Sequence, residues 1–433
     1  MRRQPAPGFG WRPLLAVLGL LAAAPLAARA QTPAAWVQLV DGGGVEVRAT
    51  GGATCPVLSV DGRPAPMSLR AAADAAVPAV CQLKLPSRAR HAEIAGQALP
   101  LPRPRIDRIV VIGDTGCRLK GLQVQACNDP KAWPFAAVAR RAAAERPDLV
   151  IHVGDYYYRE SACPLQIPAC AGSPHGDVWP TWTAEFFDPA KPLLDAAPWV
   201  FARGNHESCS RGGKGWFRLL DAADAPLACP TLSAPFTVPL GGPAGGSVTL
   251  HMLDSADTDD RAAPPAAVAA FKAAVQTVQP KPGETAWIVT HRPIWGLAPV
   301  ARVGPFGPVN VALNATEQAA VRGEPLTAVQ MILSGHIHHF ASFSFGPPRP
   351  AQLIVGTGGD VGESADSRDP TGDIVEIDGL EAKTLEFERF GYVVLDRARS
   401  DWRGAFKDVA GRLIAACTLH ARTLSCRKAS PTP

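Results

Sequence analysis

The sequence predicts an α/β protein preceded by a small all-β region, and three observations carry that expectation. Six apolar segments each run into a polar cluster: "RIVVIGD", "LVIHVGD", "WVFARGNHE", "VTLHMLDS", "AWIVTHRP" and "MILSGHIHH". Helix-like stretches such as "WPFAAVARRAAAERPD" and "PPAAVAAFKAAVQTV" lie between them, and buried strands alternating with helices are the mark of α/β architecture. Before Ile106 the text differs, with "WVQLV", "GVEVRAT", "CQLKLP" and "HAEIAGQALPLP" alternating apolar and polar residues between Gly, Pro and Asp turns.

In chain order, residues 1–30 read as a secretory signal peptide. They have an arginine-bearing start, an apolar run from Leu14 and small residues at Ala28 and Ala30, which places cleavage after Ala30. About fifteen apolar residues interrupted by Pro25 are too few to span a bilayer. Residues 31–105 read as a small β-sandwich-like domain, with "LPLPRPRID" as a stiff linker. Residues 106–426 form the α/β unit. Its last part, "TLEFERF", "GYVVLDRA", "WRGAFKD" and "LIAACTLHA", returns to strands that complete a sheet. Residues 427–433 are a frayed tail.

Four of the 43 basic residues fall in the signal segment, leaving 39 against 39 acidic. The exported chain is therefore near neutral, and nothing points to nucleic acid or an anionic membrane as partner. No other apolar run is long enough to cross a membrane. Export to the periplasm or beyond implies disulfides among the ten cysteines. Hundreds of connectivities are open. The chain offers five near pairs: Cys55 with Cys81, Cys117 with Cys127, Cys163 with Cys170, Cys209 with Cys229 and Cys417 with Cys426. No C-x-x-C occurs, against a thiolate zinc or thioredoxin-like site.

Functional groups of such sheets collect where strands end. Here the strand ends read "GDTG", "GDYYY", "GNHE", "VTH" and "GHIH". Two Asp, one Asn and three His form a mixed oxygen and nitrogen donor set suited to Fe, Zn or Mn. The set is too large for one catalytic ion with open positions and suits two, which a carboxylate can bridge, an arrangement that suits phosphate ester hydrolysis. No serine or cysteine has a base beside it in a nucleophile motif. His206, next to Asn205, is the candidate to protonate the leaving oxygen or hold the phosphate, against a role in orienting the site. Glu207 is placed to orient His206. His339 follows the last motif, and Arg203 and Arg292 flank others as phosphate contacts or solvated surface. His152 packs in the core. "IVGTGGDVGE" does not match a dinucleotide fingerprint and reads as a turn after a strand; Asp254, Asp257, Asp259 and Asp260 read as a strand end and a solvated loop.

The series GDxG, GDxxY, GNHE, a strand ending in His and GHxH resembles the purple acid phosphatases among the calcineurin-like metallophosphoesterases, over about Ile106 to Tyr392. The resemblance implies a β-sandwich flanked by helices, four layers in the order αββα. It implies ferric iron held by Asp114, Asp155, Tyr158 and His338. A second ion (Zn, Fe or Mn) would be held by Asp155, Asn205, His291 and His336, with Asp155 bridging. It implies hydrolysis of small phosphomonoesters by a metal-bound hydroxide. Of three consecutive tyrosines, the GDxxY spacing selects Tyr158 and leaves Tyr156 and Tyr157 to packing. Many relatives open with D-x-H; here Gly116 stands where that histidine falls, so Tyr158 supplies the ligand. Plant-type members carry further histidines after the fourth motif, but "RPIWGLAPVARVGPFGPVN" has none, so the resemblance carries the metal site and not the substrate clamp. Two other functions fit the same residues: a phosphodiesterase acting on nucleotide or lipid head-group diesters, and a non-catalytic envelope protein that binds metal or phosphate.

Overall fold

The strand Arg108–Ile112 shows why the apolar runs fold as they do. Ile109 and Val111 point into one buried cluster and Val110 and Ile112 into another, as the alternation of a strand covered on both faces requires. The computed structural model describes Met1 and residues 34–52, 54–226, 228–241, 247–300, 309–324, 326–361 and 374–430. The expected signal segment beyond Met1 and the final three residues of the tail lie outside them.

Arg108–Ile112, Leu149–His152 and Trp199–Phe201 lie parallel at the middle of an 11-stranded sheet. The C-terminal strands Gly391–Ala398, Asp401–Asp408, Leu413–His420 and Thr423–Lys428 extend one side by antiparallel pairing. A second sheet of eight strands has four parallel members, Ser247–Met252, Glu284–Val289, Val329–Ser334 and Ala351–Val355. Leu380–Phe387 joins this second sheet through Phe340–Ser344.

The two sheets face each other across one core. Ile109, Ile151 and Val200 from the first pack with Leu250, Val289, Leu333 and Val355 from the second. Outside the first sheet, Phe135–Ala144 buries Phe135, Val138, Ala139 and Ala142, a one-sided helical stripe. Outside the second, Pro265–Gln276 and Ala315–Val321 bury Phe271, Val275, Ala320 and Val321 against Ala286, Ile288 and Ile332. The order is αββα.

The region before Ile106 is all-β, and it shares the first sheet. Ala35–Val40 runs parallel to Trp199–Phe201, with Gln38 opposite Trp199, and Gly44–Gly51, Ala79–Lys84 and Ser68–Ala71 follow. A four-stranded sheet formed from Val57–Val60, Arg63–Pro66, Ala92–Ile94 and Gln97–Ala98 covers these strands through Leu58, Ala92 and Ile94, which meet Val37, Val47 and Ala49. The same strands reach the short helix Gly213–Leu219. Arg48, fully buried, donates to Leu219 O at 2.7 Å, Arg70 donates to Arg218 O at 3.0 Å and Phe217 O at 2.9 Å, and Gln38 donates to Leu220 O at 3.2 Å. These donors satisfy carbonyls that a helix end leaves open.

All five near cysteine pairs are joined, with separations of 7 to 26 residues, and no cysteine is free. Among the described residues no helix is long and apolar enough to cross a membrane.

Trp402 of the first sheet and Trp287 of the second meet edge to face with ring centroids 4.9 Å apart, both essentially unexposed. Trp402→Ala should lower the unfolding free energy by about 3–5 kcal/mol through lost burial and the cavity left, measured by denaturant titration with the disulfides intact.

Candidate metal centre

Every motif residue singled out in the sequence lies just past the end of a parallel strand, and the two sheets bring these ends together. Asp114 follows Arg108–Ile112, Asp155 and Tyr158 follow Leu149–His152, and Asn205 follows Trp199–Phe201. His291 follows Glu284–Val289, and His336 and His338 follow Val329–Ser334. Asp114, Asp155 and His336 hold φ of 55°, 59° and 70°, a left-handed backbone that costs a non-glycine residue energy and concentrates at functional sites. The turn lets each side chain leave its strand sideways into the cleft.

Two donor groups result. Ligand atoms of Asp114, Asp155 and His338 all lie within 4.8 Å of one another, and so do those of Asp155, His291 and His336. Asp155 belongs to both. Tyr158 Oη completes the first group, 2.9 Å from Asp155 Oδ2, 3.1 Å from Asp114 Oδ1 and 3.0 Å from His338 Nε2. Asn205 Oδ1 completes the second, 3.0 Å from His291 Nε2 and 2.8 Å from His336 Nδ1.

This donor set fits cations. His291 and His338 spend their Nδ1 on the carbonyls of Val153 and Val361, at 2.8 and 2.9 Å, and turn Nε2 inward. One phenolic hydrogen cannot serve the two carboxylates and the imidazole gathered round Tyr158 Oη. Burial opposes charge here, yet Asp155 holds His291 up to about 9, and Asp360 with Asp114 holds His338 up to about 9. The pocket draws positive charge, and metal ions would take the place of those protons.

The three tyrosines divide by contact. Tyr156 stacks on His152 with centroids 3.9 Å apart and donates to Ala202 O at 2.9 Å. Tyr157 stacks on Trp182 at 6.2 Å. Both are packing residues, and His152 is a core residue held by Thr115 Oγ1 at 2.9 Å. Gly116 and Tyr158 depend on each other: a Cβ at 116 would meet the Tyr158 ring at 2.5 Å. A side chain at 116 and this tyrosine exclude one another.

His206 lies over the Tyr158 ring, centroids 3.8 Å apart, and its backbone N–H donates to Asp155 Oδ1 at 2.8 Å. Its two ring nitrogens are 2.6 and 2.7 Å from Arg211 Nη2, and Nδ1 is 3.1 Å from Glu160 Oε1. Burial first, with the charge of Arg211 adding, holds the imidazole down to about 4 against the pull of Asp155 and Glu160. Glu207, expected to orient His206, instead accepts from the backbone N–H groups of Gly204, Asp155, Tyr156 and Tyr157 at 2.8–3.1 Å. Arg203 spends its donors on Glu207 O, Pro230 O, Thr231 O and Asp254, which ties loops together. His339 is a buried ring with an unpartnered Nε2, held down to about 4 by burial. Arg292 does reach the centre, 3.0 Å from His336 Nε2.

Several residues at the centre have no motif behind them. Asp260, read as solvated loop, bonds to Arg292 and lies 3.0 Å from His336 Nε2, which turns His336 Nδ1 inward. Asp360 is a buried carboxylate on Arg118 and 3.3 Å from His338 Nδ1; it too follows an apolar strand, Ala351–Val355, and that position was the available signal. Glu185 accepts from the N–H groups of Cys117, Tyr158 and Arg159 at 2.7–3.3 Å.

Residues 107–340 match the calcineurin-like phosphoesterase family model. No curated protein sequence matches significantly. Among solved structures, purple acid phosphatase PPD1 from yellow lupin (Lupinus luteus) seeds is similar with a TM-score of 0.56 at 13% identity, over 89% of this chain and 73% of that one. The structure of PhoD is similar with a TM-score of 0.54 at 11% identity, over 93% of each. At such identities the likeness establishes the fold, and it is that of the purple acid phosphatases and PhoD. The family match covers more than half the chain and spans all the strands that deliver these donors: the protein belongs to the calcineurin-like phosphoesterases, metal-dependent hydrolases of phosphoric esters.

Proposed function

We propose that the protein is an exported phosphomonoesterase of the purple acid phosphatase type working with two metal ions. The observation that carries this reading is the Asp155 carboxylate shared by two donor groups, one of which holds a phenol. Asp114, Asp155, Tyr158 and His338 would hold ferric iron, since a phenolate and two carboxylates are hard anionic donors. Asp155, Asn205, His291 and His336 would hold Zn, Fe or Mn. Five disulfides support export to an oxidising compartment. Bound there, the two ions would bring a water to the point of ionising near neutral pH and neutralise charge on the phosphoryl oxygens.

The chain supplies the rest by positioning. With all ten cysteines in disulfides, no thiol competes as nucleophile. Asn205 and His336 are half-buried where the other ligands are buried, so substrate enters on their side. His206 is neutral across the physiological range because burial keeps its pKa low. The ring lies between the Tyr158 phenol and the Arg211–Glu160 pair, where it is placed to meet the leaving oxygen or hold the phosphate.

Iron-loaded, oxidised protein should absorb in the visible through the Tyr158 phenolate. Tyr158→Phe should lose the band, and Gly116→Ala should shift or lose it by displacing the ring; a colourless iron-loaded wild type would refute the Tyr158 assignment. His206→Ala should lower kcat about 100-fold with metal content and KM little changed, read by steady-state kinetics beside metal analysis. Initial rates on p-nitrophenyl phosphate should exceed those on its bis-ester, and Asp155→Ala and Asn205→Ala should abolish both. A large preference for the bis-ester identifies a phosphodiesterase, and fully loaded protein inert toward both is a binding protein.

A further inference from the structure

Three guanidinium groups ring the centre, each paired with a carboxylate and each beside an imidazole: Arg118 with Asp360 and His338, Arg292 with Asp260 and His336, and Arg211 with Glu160 and His206. They differ in charge balance. Arg118 is matched one to one by Asp360, whose side chain is fully buried, and its Nε lies 3.0–3.2 Å from both carboxylate oxygens. Arg292 is matched by Asp260 and feels Glu317 as well. Arg211 shares its carboxylate with a second cation: Lys120 Nζ lies 3.8 Å from Glu160 Oε2. At Glu160 two positive charges face one negative charge, and Arg211 also feels the Asp155 carboxylate of the centre.

Arg211 is also the guanidinium against His206, and its Nη1 donates to the carbonyl of the candidate ligand Asn205 at 3.1 Å. That places it on the half-buried, substrate-entry side of the centre. Its partner Glu160 is partly exposed, at 18% of its side chain. Lys120 stands on a loop closed by the Cys117–Cys127 disulfide, and Glu160 N donates to Leu119 O of that loop at 3.0 Å. The two positions are locked side by side, so Lys120 can keep Glu160 neutralised when Arg211 turns to another anion.

We infer that Arg211, with Lys120 in reserve on Glu160, grips non-bridging phosphate oxygens beside the line of attack and so favours the dianion of a monoester over the monoanion of a diester. An arginine fork matches two phosphate oxygens, and such charge-assisted pairs are the strong ones. It supplies the clamp that the segment after His291 lacks in histidines. The inference rests on the phosphoesterase reading of the same site, but its test does not need turnover.

Metal-loaded wild type and variants are titrated with inorganic phosphate by calorimetry, after metal content and thermal unfolding have been matched. Arg211→Ala should weaken phosphate binding about 10-fold or more, one hydrogen-bonded charge pair's worth, and Lys120→Ala about 3-fold. Glu160→Gln, which releases Arg211, should tighten it, a gain that structural damage does not produce. In kinetics, Arg211→Ala should raise KM for p-nitrophenyl phosphate in parallel and leave KM for the bis-ester nearly unchanged. Should Arg211→Ala fail to fold, the opposite signs of Lys120→Ala and Glu160→Gln decide. Unchanged phosphate affinity in Arg211→Ala and Lys120→Ala, with a fall in kcat alone, overturns the inference and leaves Arg211 as a residue that positions His206. Wild type that binds phosphate by this rule and hydrolyses no ester leaves the inference standing and removes the phosphoesterase reading.

Discussion

The centre depends on two buried glutamates that bind backbone. Glu207 collects the N–H groups of Gly204, Asp155, Tyr156 and Tyr157, and Glu185 collects those of Cys117, Tyr158 and Arg159. Burial pushes both carboxyls up to about 8, and the N–H donors work against that shift. Together they fix the run from Asp155 to Arg159 as a turn with hardly any freedom. That turn places a carboxylate between two donor groups and a phenol beside one of them. The left-handed backbone at Asp155 is tolerable because its surroundings over-determine it, and Gly204 makes room, since a Cβ there would lie 2.1 Å from Asp155 Oδ1.

The donors themselves were legible in the sequence because the fold exposes its chemistry at strand ends, and apolar strands ending in Gly-Asp, Gly-Asn-His or Gly-His are visible as text. Tyr158 was legible by spacing, and Gly116 by the exclusion that the structure makes physical. What sets the donors' surroundings was not legible. Glu160 and Arg211 are 51 residues apart, and Arg118 and Asp360 are 242 apart. No local pattern records a pairing that exists only once distant strands have come together. Glu207 was picked out for its place beside His206, yet its partners are backbone amides, which any sequence supplies and none advertises. The all-β start was readable from alternation. Its edge was not: Gln38 stands opposite Trp199 in a parallel pair, and parallel partners leave no turn between them to read.

Electrostatically the protein reverses its bulk character at one place. The chain carries 43 basic against 39 acidic residues, while the centre concentrates two carboxylates, a phenol and three imidazoles with three arginine–carboxylate pairs around them. The pairs sit against imidazoles, and Asp260 fixes which ring nitrogen of His336 faces inward. A centre supported on all sides in this way holds its geometry before any ligand arrives, which is what placing charged substrate oxygens requires.

The covalent and non-covalent links of this chain span very different distances. Every disulfide joins cysteines no more than 26 residues apart, whereas the first sheet closes by pairing Arg108 with Asp396, 288 residues on, and the earliest strands cap the helix that ends at Leu219. Each disulfide therefore closes a short loop that needs only near neighbours along the chain. The disulfides are local clasps, whereas the sheets rest on long-range pairing, whose loop-closure cost comes before its contacts reward it.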